Sequence, residues 1–462
     1  MSAGPRQDAA TGRAAAAALL EGRTVRRPLL LGAGPEAWLA FEQHARLLVR
    51  YHDLPVGSAL EVRLCHASGY VRAAALGEER APLELIAIRT TDWVGPVRER
   101  ARQLLGQALA ADPAGTLHTL TPLALRLERR DQGAWLLERL TGLTADDDTA
   151  VAALLDSADL PTRRFAARLT LDAGLFGVRE LARRAAAETD PVASRLWTDA
   201  ALTAMAAGDA DDEAVDTLLA GHQPMVRAAG VTALRRAGRS DEAARHLPDR
   251  SSLVRACARW LVSQAGADPY AHCLALVTDR ERLSPYAVTG FAECAKRADA
   301  PLLRTLLDHP VGSVRAAAVA GLRRLDDATD DALLLPLLDD PSASVTREAS
   351  LSLLQVAGRL DLGHLTDRLA PERPPHVRRA AFRLLRGRGG IHELRASVDL
   401  LEDPGPGLRT AARATVRGWN WQVTLRTGGA DLSELSALLT RSARLFDDYE
   451  LGIRRTRLGL TG

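Results

Sequence analysis

The chain has 462 residues, too many for one compact core, so it reads as several domains or one extended array. Apolar residues make up 47%, largely Ala and Leu, and aromatics only 4%, a mixture that favours helices and argues against sheet-rich folds. Sixty basic residues against 58 acidic ones leave a net charge of +2, so overall charge makes no case for nucleic acid or a membrane, although a local basic strip can hide in that balance.

Residues 1–28 are rich in Ala, Arg and Gly without a clear apolar face, and a mobile segment is expected there. The run "AAAAALL" at 14–20 is short and at once succeeded by charge, which makes a poor signal peptide. The next region, 29–60, contains "PEAWLAFEQHARLLVRYH" (35–52), an amphipathic helix with Trp38, Phe41 and Leu48 on or near one face. It is expected to cap the N-terminal end of an array that starts at about residue 61.

From 61 to 422 one pattern returns. Val-Arg or a near equivalent stands at Val71-Arg72, Val97-Arg98, Thr162-Arg163, Ser194-Arg195, Val226-Arg227, Val254-Arg255, Val314-Arg315, Val345-Thr346, Val377-Arg378 and Leu408-Arg409. From Val345 to Val377 is 32 residues and from Val377 to Leu408 is 31, whereas from Val97 to Thr162 is 65 and from Val254 to Val314 is 60. The two long steps predict hidden degenerate units near 129–140 and 284–295. A period near 31–32 marks a stacked-repeat architecture. Each unit begins with an apolar run such as "DALLLPLL" (331–338), a first helix. An acidic, proline-containing turn comes next, as in "LLDHP", "LLDDP" and "LLEDP". Proline suits the turn or the first helical position, and Asp there favours the next helix start. Val-Arg then opens the second helix, with small residues that allow close approach.

The turn acids (Asp308, Asp339, Asp340, Glu402, Asp403), the turn prolines (Pro310, Pro341, Pro404) and the Val-Arg after them resemble the HEAT-repeat family, in particular its short bacterial PBS-lyase-type form. The resemblance covers roughly 60–420. It implies an all-α, right-handed α-solenoid of about eleven helical hairpins, and says little about function. It also implies that the turn acids Asp308, Asp340 and Asp403 and the arginines Arg72, Arg98, Arg227, Arg255, Arg315, Arg378 and Arg409 form a structural ladder. Thr346 breaks that series, with Arg347 as an imperfect substitute.

Beyond Trp421 the period lapses. Residues 423–462 are expected to be a cap or a divergent last repeat, with an N-cap at Asp431 and Glu434 three residues on, and an echo of the joint at Ile453-Arg454. Trp419 and Trp421 are expected to close the core rather than to anchor a partner.

Catalytic signals are sparse. No phosphate loop, G-x-S-x-G or H-E-x-x-H pattern occurs, and Lys296 is the one lysine. The abundance of arginine is expected from GC-rich coding, with a functional demand for arginine as the alternative. His392-Glu393 is a single His-Glu pair, where HEAT-like iron hydroxylases use several. Cys65, Cys257, Cys273 and Cys294 form no C-x-x-C pair, so neither a zinc site nor a disulfide framework is expected. No cofactor or metal is expected, and no run reaches the roughly 18 apolar residues of a membrane span. A reducing, cytoplasmic setting is expected.

A binding surface is more legible. Counted from the Val position, Arg102, Arg259 and Arg413 stand at +5, Arg168 and Arg383 at +6, and Arg235, Arg323, Arg386 and Arg417 at +9. Positions +5 and +9 share a helix face. In HEAT-like solenoids the second helices line the concave side, so these arginines would form a strip along the groove. It would hold phosphates or an acidic protein segment, or else be a solvated face. In the unit at Ser194 the +5 position is Asp199, with Trp197 before it and Trp260 two units on. That trio thinly resembles HEAT-like alkylpurine DNA glycosylases. The favoured expectation is a non-enzymatic scaffold that binds a protein or peptide partner in its groove. The alternatives are nucleic-acid binding through the strip and a maturation factor of the lyase-associated kind.

Overall fold

The computed structural model describes residues 5–23, 29–49, 58–144, 148–208, 211–325, 331–419 and 431–460. Among them every regular element is a helix and no strand occurs. The chain divides into two compact units, Met1–Ala237 and Gly238–Gly462.

In the first unit, helices pair in sequence as hairpins. Leu83–Arg89 packs on Gly95–Ala111, Val178–Ala187 on Pro191–Ala207, and Asp212–Leu219 on Pro224–Leu234. Second helices also pack on one another, Leu160–Asp172 against Pro191–Ala207 and that helix against Pro224–Leu234. The hidden unit near 129–140 is a hairpin of Pro113–Leu127 and Ala134–Thr144. In the second unit Pro285–Cys294, Gly312–Arg324, Ala343–Ser352 and Pro375–Arg388 pack in series. The other hidden unit pairs Pro269–Thr278 with Pro285–Cys294. The buried residues reflect the repeat: Val97, Ala101 and Leu105 in one second helix, and Val314, Ala318 and Leu322 in another, all lie inside. One hairpin cannot cover that stripe, so neighbours share it.

Seven of the joints repeat at atomic detail, while Arg378 donates instead to Leu369 O, nine residues back, at 2.9 Å. The arginine falls four residues after the helix N-cap, and its guanidinium turns back to the carbonyl six residues earlier. Arg72 donates to His66 O at 2.6 Å, Arg98 to Asp92 O at 2.9 Å, Arg163 to Ser157 O at 2.7 Å and Arg227 to Gly221 O at 3.1 Å. Arg255 donates to Asp249 O, Arg315 to His309 O and Arg409 to Asp403 O, each at 2.7 Å. The side chain of that same turn residue accepts the N-cap amide, as in Val94 N–H to Asp92 Oδ1 at 3.0 Å and Ser342 N–H to Asp340 Oδ1 at 2.7 Å. A joint with such a side chain thereby satisfies both a turn carbonyl and an amide that the helix start leaves open, whereas at Gly221, which has no side chain, the arginine meets the carbonyl alone.

Several joint arginines also cross to the next repeat. Arg72 grips Asp92 with two bonds of 2.7 and 2.8 Å, both side chains buried. Arg315 grips Asp340 at 2.7 and 2.9 Å, Arg163 reaches Glu188 at 3.2 Å, and Arg378 pairs with Asp403. The two-bond pairs among these, Arg72–Asp92, Arg315–Asp340 and Arg378–Asp403, are the strong kind.

Three expectations about the ladder need correction. Asp308 is exposed and holds no arginine among the described residues; the joint residue of its repeat is His309, whose Nδ1 accepts the Val311 amide at 3.2 Å. In the unit read at Ser194-Arg195 the register is one residue off. Asp190 caps this helix by accepting the Ala193 N–H at 2.9 Å, so the joint position is buried Ser194, bonded to Ala185 O at 3.0 Å. Arg195 is left 70% exposed. Arg347 does not replace Thr346: it is exposed beside Glu348, while Thr346 Oγ1 itself meets Asp340 O at 3.2 Å. His376 Nε2 lies 3.1 Å from that same carbonyl.

The N-terminal region also departs from expectation. Pro5–Leu20 is a helix, packed along Pro35–Val49. Gly12 makes this possible, because a Cβ there would stand 2.0 Å from Ala37 O. The helix Pro35–Val49 does pack on the repeats, against Leu83–Arg89 and Pro113–Leu127. Its Glu42 is buried and takes Arg89, with Arg130 at 3.3 Å and Arg46 at 3.6 Å. Burial alone would raise the Glu42 carboxyl, but Arg89, Arg130 and Arg46 outweigh it and hold it below its ordinary value. At the other end Asp431 caps Leu432–Arg441, while Glu434 turns away to Arg395.

Candidate functional site

The arginines expected to form one strip fall into three groups. Arg259 is taken by Glu293, which also receives Arg255 through two bonds. Arg323 bonds Glu348 at 2.5 Å and Ser352 at 3.2 Å, and Arg102 lies 4.7 Å from the Trp135 ring centre and 3.7 Å from Glu99. These carry charge that a neighbour already balances. Arg383 is half-buried on Ser350, and burial lowers its pKa, with Arg347 adding repulsion. Arg386 stands 3.6 Å from Glu393, and Arg417 donates to Leu445 O at 3.3 Å. Arg168, Arg235 and Arg413 are exposed. Arg102, Arg168 and Arg235 belong to the first unit and the others to the second.

The trio Trp197, Asp199 and Trp260 is not assembled as a site within either unit. Trp197 is a core residue, 5.9 Å from the Phe176 ring with Arg184 over it. Asp199 is 64% exposed and meets Arg195 at 3.4 Å. Trp260 is 46% exposed and belongs to the second unit. Trp419 is buried, in keeping with core closure; Trp421 lies outside the described residues. His392 lies in Gly390–Asp399, and its pKa is lowered by burial and by Arg388 and Arg395.

What sequence reasoning missed is a cleft of about 1590 Å³ in the first unit. Its walls come from the Pro5–Leu20 and Pro35–Val49 helices, residues 29–34, the Pro113–Leu127 helix and the turn at 156–161. Apolar surface comes from Leu29, Leu30, Leu31, Trp38 and Leu123. Seven carboxylates line it, Asp8, Glu36, Glu61, Glu78, Glu84, Asp156 and Asp159, against the arginines Arg80, Arg126 and Arg164. Arg126 is neutralised by two 2.7 Å bonds to Asp159 and one of 3.0 Å to Glu36. Arg164 is likewise held by Asp190 at 2.7 and 2.8 Å. Glu78 pairs with Arg63. No ion pair forms on Asp8, Glu84 or Asp156 among the described residues, and burial pushes the Glu84 carboxyl above its ordinary value. Among the described residues the electrostatic balance of the cleft is therefore negative.

No protein-family model matches the chain. No curated protein matches it either. What the cleft can do therefore rests on its own geometry. One backbone feature adds to it. Leu30 has φ +53, in the left-handed region where a side chain is strained, and the next residue, Leu31, is held 66% exposed at the rim. Such strain clusters where a segment has a task. No group of three or more metal-ligating side chains occurs among the described residues. A cleft with apolar walls, spare carboxylates and a presented leucine can bind a chain that carries both apolar and cationic side chains. Scattered over the sequence, these acids give no local signal.

Proposed function

We propose that this protein is a non-enzymatic helical-repeat scaffold that binds a protein or peptide segment bearing basic and apolar side chains in the first unit's cleft. The observation that carries this reading is the excess of carboxylates over free cations, among the described residues, along an open, partly apolar wall. The same proposal includes HEAT-like identity, supported by the joint that recurs from Arg72 to Arg409. It extends to a right-handed solenoid of about eleven hairpins and to a reducing, cytoplasmic compartment, for which the four unpaired cysteines speak. No helix among the described residues is long and apolar enough to cross a membrane.

The second reading is nucleic-acid binding through the arginine strip. Exposed Arg168 and Arg413 favour it; the carboxylates on Arg259 and Arg323 speak against it, because each would have to be displaced by a phosphate. One titration separates the two. Fluorescent peptides of alternating Arg and Leu, matched peptides of Glu and Leu, and short single- and double-stranded DNA and RNA are added to the purified protein at low and moderate salt. The Arg-Leu peptide is expected to bind, and the double charge reversal Glu84→Lys with Asp156→Lys is expected to weaken it by about tenfold or more. Binding of nucleic acid but not peptide, lost on replacing Arg168 and Arg413 with Ala, would reverse the order of the two readings.

A further inference from the structure

The second unit holds two thiols side by side. Cys273 lies in Pro269–Thr278 and Cys294 is the last residue of Pro285–Cys294, and the two helices pack as a hairpin. Their sulfurs are 3.9 Å apart. A disulfide needs about 2.05 Å between sulfurs, so a small movement closes the gap. Cys294 sits where its helix ends, with the adjoining Ala295 already extended, which is the place in a helix where such a movement is easiest. Cys273 is buried, whereas Cys294 is half-exposed and reachable from solvent.

We propose that Cys273 and Cys294 form a redox-active dithiol, which a hydroperoxide converts to an intramolecular disulfide. Cys294 is the attacking thiol. The sulfur contact with Cys273 lowers the pKa of Cys294, and Arg259 adds to this; the same contact, with burial, pushes the Cys273 thiol up. The Cys294 sulfur attacks one peroxide oxygen and breaks the O–O bond. This leaves a sulfenic acid on Cys294 and releases an alcohol, or water from hydrogen peroxide. The Cys273 sulfur then attacks Cys294 Sγ and displaces hydroxide, which leaves as water with the Cys273 proton. Two thiols give up two electrons, and the peroxide bond receives them. The other cysteines lack this arrangement. Cys65 is buried and its thiol is pushed up to about 12, and Cys257 has no thiol beside it.

The bond would have a structural consequence. Glu293, next to Cys294, is the carboxylate that holds Arg255 and Arg259. A cross-link at Cys294 fixes the helix end that carries this acid.

The test uses the full chain. The reduced protein is treated with a small excess of hydrogen peroxide, alkylated under denaturing conditions and digested with trypsin. A cross-linked peptide joining Cys273 to Cys294, with Cys65 and Cys257 alkylated, is the expected result. Both cysteines alkylated, Cys294 paired with Cys257, or Cys294 driven to sulfinic acid without a cross-link would each overturn the proposal. Cys273→Ser is expected to leave a lasting sulfenic acid on Cys294 that dimedone traps, and Cys294→Ser to leave Cys273 reduced. Should either variant fold poorly, the peptide map of the unaltered protein decides alone.

Discussion

Arg72 shows what a single joint side chain does. It is fully buried, and it closes its own turn while gripping Asp92 of the next repeat. Removing one member of such a pair leaves the other charge buried and alone. Arg72→Ala is therefore expected to cost about 3–5 kcal/mol in a urea titration. Arg315→Ala, at a joint nearer solvent, should cost less, and Arg195→Ala should barely move the midpoint. Equal midpoints for the Arg72 and Arg195 variants would contradict the joint's role. Asp190 supplies a pH signature. Its bond to Arg164 is the largest influence on it and, with the Ala193 amide, holds its carboxyl at about 2, below the ordinary 3.8. The folded value is depressed, so the stabilisation is present above pH 3.8 and is lost as pH falls through about 2. Asp190→Asn should make unfolding less sensitive to acid across that window, as measured by urea midpoints at stepped pH. Of these residues, the arginines were legible in sequence because they recur. Asp92 and Glu188 were not recognised as acceptors, although joint acids such as Asp92, Asp249 and Asp403 stand six residues before Arg98, Arg255 and Arg409.

Helices carry their own lesson. The degenerate units near 129–140 and 284–295 form hairpins without a joint arginine, because apolar spacing and caps such as Ser284 suffice locally. Pro5–Leu20 went unrecognised because its contact is made by Gly12, Ala16 and Ala18, small residues that pack through backbone proximity rather than an apolar stripe. Gly12→Leu is expected to lift that helix from Pro35–Val49. Amide hydrogen exchange over residues 5–20 should then speed up by about tenfold or more, with exchange in 312–324 unchanged. Unchanged exchange over 5–20 would mean that the close approach at Ala37 O does not hold the helix. The off-by-one reading at Ser194 has a similar cause. A two-residue marker cannot set register where the cap, here Asp190, decides it.

At the scale of the whole chain, the two units each contain their own buried core, and Gly238, at φ +68, opens the second. Repeat arrays are stabilised by contacts between neighbours. Residues 1–237 and 238–462 produced separately are therefore expected to keep helical circular dichroism and cooperative urea transitions. A fragment without either would show that its unit depends on the rest of the chain. The helical class, the period of 31–32 and the recurring joint arginine were determined by the sequence alone. Apolar spacing, turn residues and caps act within one hairpin, and a short window contains all the atoms involved. Tertiary structure alone decided which carboxylate each arginine meets, that Arg259 and Arg323 are already balanced, and that Asp8, Glu84 and Asp156 share one cleft. Those encounters join residues far apart in the chain. They depend on how hairpins stack and how far a side chain reaches, and no local pattern encodes either.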